Sequence, residues 1–70
     1  MDKIEISISG IRSNHCVVGI QTMTEMLHGV EFVHIDLDNK KGIFEVDLNE
    51  VSVQNIVEEI ERLGYTARVQ

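Results

Sequence analysis

The chain has 70 residues, 43% hydrophobic and 26% charged, with a net charge of −6 and a pI of about 4.8, which is enough for one small domain, residues 1–70, and no more. That acidic balance argues against nucleic acid, whose phosphates need a basic patch, and against anionic membrane surfaces. No apolar run reaches membrane-span length, no basic-and-apolar leader opens the chain, and a lone cysteine suits a reducing compartment, so the expectation is a cytoplasmic protein without membrane insertion.

Residues 3–9 alternate, with Ile4, Ile6 and Ile8 on one face and Glu5, Ser7 and Ser9 on the other, the pattern of a half-buried strand. Gly10 breaks that run. Residues 14–27 then place Val17, Ile20, Met23, Thr24 and Leu27 at helical spacings, with Ser13 or Asn14 as the N-cap and Gly29 as the stop. Residues 30–37 alternate again, with Val33, Ile35 and Leu37 on one face and His34 and Asp36 on the other. The cluster at 38–42 is a turn, and residues 43–48 form a third strand with Phe44, Val46 and Leu48 inward, giving an antiparallel hairpin.

Residues 53–63 carry a stripe of Val53, Ile56, Val57, Ile60 and Leu63, with Glu58, Glu59, Glu61 and Arg62 as the solvated face. Gly64 ends this helix, and residues 65–69 close as a fourth strand with Ala67 and Val69 inward. Each strand has one apolar face, so both helices should cover the same side of one sheet. Right-handed crossovers then give an α+β, ferredoxin-like βαββαβ sandwich with strand order 4-1-3-2. That fold hosts many functions, so function has to be argued from a site.

The candidate site is the loop Ser9 to Cys16. Cys16 falls in the first turn of the first helix, where free backbone N–H groups and the helix dipole favour an anion. A thiol there is expected to have a lowered pKa and to bind soft ions such as Cu(I), or Zn(II). His15 is adjacent and offers an imidazole nitrogen.

Gly10, Ile11, Arg12, Ser13, Asn14, His15 and Cys16 follow the spacing Gly-Met-x-Cys-x-x-Cys. In this the chain resembles the heavy-metal-associated domain, the small module of copper chaperones and metal-transporting ATPases. The resemblance extends through Val17 and Ile20, through "LHGVEFVHIDL" and through "IVEEIERLGYTA", which is nearly the whole chain. It implies a metal-handling role with a metal-transporting ATPase or other metal-handling protein as partner, and it places Tyr65 beside the metal loop. Two positions depart from the family pattern: Ile11 replaces its methionine and Ser13 its first cysteine. A hydroxyl stays protonated and is a poor ligand for Cu(I), so the family's two-thiolate site cannot form within one chain.

Four readings of the loop stand. Cys16 binds a soft ion with an outside ligand, such as glutathione or a partner's cysteine. Two chains form a homodimer sharing one ion between two Cys16 thiolates. Cys16 and His15 chelate a metal, with Ser13 or water. Or no metal is bound, Ser13 only caps the helix, and the chain is a protein-interaction or regulatory module.

The remaining candidates are weaker. His34, Asp36, Glu45 and Asp47 form at most an acidic docking face. His28 is expected to cap the first helix's carbonyls, and Met23 and Met26 to fill core. A Cys-His nucleophile needs a shaped pocket and an oriented base, which a domain of this size does not offer, so no enzyme is expected.

Overall fold

The computed structural model describes residues 1–70. Its elements run β1 (Asp2–Ser9), α1 (Asn14–Glu25), β2 (Val30–Asp36), β3 (Lys41–Val46), α2 (Val53–Arg62) and β4 (Thr66–Val69). The strands form one antiparallel sheet in the order β2-β3-β1-β4, which is the expected 4-1-3-2 read from the opposite edge. The alternation of β1 and β3 delivers Ile6, Ile8, Phe44 and Val46 to the helix-covered face, where all four are fully buried. Ile20 from α1 and Ile56 and Ile60 from α2 close over them. Each such aliphatic side chain contributes roughly 1.5–3 kcal/mol by leaving water.

Several expectations shift in register. The third strand begins and ends two residues earlier than its apolar pattern implies, at Lys41 and Val46. Gly42 therefore belongs to the strand and not to the turn. It pairs with Ile6 and Ile35, and a Cβ there would stand 2.7 Å from the Phe44 ring. The missing side chain is what lets that ring lie against the sheet. Leu48, expected inward, lies beyond the strand and is 47% exposed. Val69 sits opposite Ile6 on the edge strand, which has no neighbour on its outer side, and it too is exposed. Glu59, expected in solvent, is buried and held by the Arg62 guanidinium at 2.7 Å. Met26 is exposed rather than part of the core.

The helix ends position the site. Ser52 caps α2 through a reciprocal box: its hydroxyl accepts from the Asn55 amide, and the Asn55 side chain accepts from the Ser52 amide. At the other end, Gly64 N–H donates to Glu61 O and Tyr65 N–H to Ile60 O, with Gly64 at φ +102°. This is the paired closure of a Schellman turn, and it directs the chain into Tyr65 at a fixed angle. No helix is long and apolar enough to cross a membrane.

Candidate metal centre

Three connections meet at one end of the sandwich: the β1–α1 loop, the β2–β3 turn and the α2–β4 loop. Gly10 turns the chain out of β1 at φ +101°, and a Cβ on it would lie 3.4 Å from Cδ1 of Tyr65. The close approach of loop and ring brings Tyr65 to the Cys16 side, as the resemblance implies. Ile11, in the position of the family methionine, is buried and anchors the loop in the core.

Ser13 takes the N-cap position of α1 with an extended backbone, φ −152° and ψ 169°. Its hydroxyl makes no capping bond. It donates instead to Cys16 Sγ at 3.8 Å. Ser13 thus holds the N-cap position, but the expected side-chain cap is absent, because no backbone N–H donates to its oxygen. No acidic residue occupies the first turn of α1, so Cys16 is the only side chain there that can carry a negative charge toward the positive helix end.

The half-buried Cys16 thiol is lowered from 9.0 to about 6. The largest cause is hydrogen bonding from the Tyr65 phenol, followed by the Arg12 backbone amide and the Ser13 hydroxyl; partial burial opposes them, and the Ser13 amide adds a smaller contribution. The Tyr65 phenol is raised in turn, chiefly because its proton is held by the sulfur. At neutral pH the site therefore presents a thiolate, the form that binds soft metal ions.

His15 is exposed on the first turn and does not contribute to the shift of the thiol. No three His, Cys, Asp or Glu side chains converge as a metal cage anywhere in the chain. Ser13, Cys16 and Tyr65 are thus brought together, while His15, the other expected metal ligand, is exposed one residue before Cys16.

The other candidates resolve differently. Asp36 accepts from the Asn39 side chain at 2.7 Å and from its amide at 3.1 Å, and these bonds hold its carboxyl below the usual range. Asp47 accepts from the Asn49 amide at 3.0 Å. Both carboxylates close turns, which weakens the acidic docking face. His28 does not cap α1; its Nε2 meets Glu50 Oε2 at 2.6 Å. A cavity of about 470 Å³ lies at that end, lined by residues including Met1, Met26, His28 and Glu50, and Cys16 is not among its lining residues.

One participant escaped the sequence reading altogether. Lys40, in the β2–β3 turn, donates from Nζ to the Ile11 carbonyl at 2.7 Å. The contact spans 29 positions, and no local pattern announces it.

The comparisons with known proteins agree with this fold. The heavy-metal-associated domain family matches residues 5–66. The chain is 34% identical to the copper chaperone CopZ of Bacillus subtilis over 65 residues, covering 93% of this chain and 94% of that protein. It is 34% identical to the copper chaperone CopZ of Enterococcus hirae over 67 residues, covering 96% and 97%. Among solved structures, a copper binding domain from HMA7, a P-type ATPase, superposes with a TM-score of 0.97 at 26% identity, covering all of this chain and 95% of that one. The two CopZ relatives are copper chaperones, carriers of copper, which agrees with the expectation that this chain is not an enzyme. The chain belongs to the heavy-metal-associated domain family.

Proposed function

We propose that this chain is a metallochaperone-like protein that holds Cu(I) on Cys16, its only thiolate, with the second ligand supplied from outside the chain. The observation that carries this reading is the set of donors aimed at one sulfur: the Ser13 hydroxyl at 3.8 Å, the Tyr65 phenol and the Arg12 amide. A thiol that merely packed in the core would not be surrounded in this way. Cu(I) is favoured over Zn(II) because Zn(II) takes four ligands in a closed site, and no cage of that kind converges here.

The outside ligand is the Cys16 of a second chain, a partner's cysteine or glutathione. A copper-binding ATPase domain of the same fold is the natural partner, and a reducing, cytoplasmic setting keeps the thiol free. A metal-free interaction module is the weaker reading, because Asp36 and Asp47 are already engaged in their own turns. The proposal is tested by loading reduced protein with Cu(I) and following its mass in solution by light scattering. Loading should produce a dimer or a glutathione adduct in the wild type and neither in Cys16→Ala. If Cys16→Ala behaves as the wild type does, the proposal fails.

A further inference from the structure

Lys40 has an unusual backbone for its residue type. Its φ is +55°, and it is the only non-glycine residue in the chain with a positive φ. A lysine in the left-handed region is uncommon, and the end of a hairpin turn is a place that calls for it, so contacts beyond the turn add to what the turn itself imposes. Two are visible. Its carbonyl accepts from the Ile8 amide at 2.8 Å, at the end of β1. Its ammonium reaches the Ile11 carbonyl at 2.7 Å, within the β1–α1 loop. The turn thus grips the chain on both sides of Gly10.

The position of the second bond matters. The Ile11 carbonyl and the Arg12 N–H belong to one peptide unit. No peptide bond in the chain is cis, so the two groups point in opposite directions. We infer that Lys40 is a positioning residue for the Cys16 loop: by fixing the Ile11 carbonyl on one side, its ammonium sets the orientation of the Ile11–Arg12 peptide and with it the direction of the Arg12 N–H on the other. The charge also polarises that peptide and strengthens its N–H as a donor. The inference concerns the metal-free loop, so it stands or falls independently of the proposed metal function.

The test uses metal-free protein and three variants. Lys40→Met keeps the stem and removes the charge, Lys40→Arg restores a charged donor in the same backbone conformation, and Lys40→Gly relieves the backbone while losing the side chain. The readout is Arg12 amide hydrogen exchange by NMR. Lys40→Met should lose about tenfold of Arg12 protection, as expected for loss of a charge-assisted hydrogen bond to the same peptide unit. Lys40→Arg should recover it. Lys40→Gly should match Lys40→Met at the loop while melting no lower than the wild type. Unchanged Arg12 protection in Lys40→Met, or wild-type loop behaviour in Lys40→Gly, would overturn the inference.

Discussion

The Ser13 hydroxyl donates to Cys16 Sγ across 3.8 Å and leaves the N-cap of α1 without a side-chain bond. In α2 the equivalent serine does both: the Ser52 hydroxyl donates to Asn55 Oδ1 at 2.6 Å and accepts from the Asn55 amide at 3.1 Å. Two serines at two helix starts therefore have different roles. Ser52→Ala should cost about 1 kcal/mol in urea unfolding, the usual loss for an N-cap. Ser13→Ala should cost far less, and its effect should appear in the thiol instead.

Thiol titration follows from the donors on Cys16. The rate of iodoacetamide alkylation should rise with pH through a midpoint near 6 and not near 9.0. Tyr65→Phe should move the midpoint up the most, and Ser13→Ala by less, matching the order of their contributions. The folded state lowers this pKa, so the thiolate's stabilising contribution is complete above the unfolded value and is lost as pH falls through about 6. The wild type should therefore gain stability relative to Cys16→Ala as pH rises across that window.

Restoring the missing thiol tests the loop geometry. Ser13→Cys should convert the site to one Cu(I) per chain and tighten binding by about 10²-fold or more, because the second ligand becomes intramolecular. An unchanged affinity would show that the loop is not shaped like that of its relatives.

Two glycines should respond in opposite directions. A Cβ at Gly19, inside α1, meets nothing within 4 Å, so Gly19→Ala should stabilise the chain by about 0.5–1 kcal/mol. Gly29 has φ +98°, and a Cβ there would stand 2.7 Å from Glu50 Cβ, so Gly29→Ala should destabilise it. Urea unfolding of both variants against the wild type decides the pair.

The fold was legible because alternation and helical spacing agree along the whole chain. Ile6 and Ile8, Phe44 and Val46, and Ile56 and Ile60 repeat at the periods of their elements and are all buried. Strand ends were less so. Leu48 continues the apolar alternation of β3, but the chain has already turned at Asp47. Glu59 reads as solvated until its pairing with Arg62 is seen. At the site, Cys16 and Tyr65 were found through the loop pattern and the Gly-Tyr ending. The direction of the Ser13 hydroxyl and the reach of Lys40 to Ile11 depend on tertiary contacts that no local pattern encodes.

The most direct measurement is an anaerobic Cu(I) titration of reduced protein against a competing chelator, with stoichiometry read by native mass spectrometry. We expect Cu(I) to be retained only with a ligand from outside the chain: one ion per two chains without added thiol, one per chain as a glutathione adduct when glutathione is present, and neither species in Cys16→Ala. Retention that survives Cys16→Ala, or no retention above the chelator's background, would contradict the account.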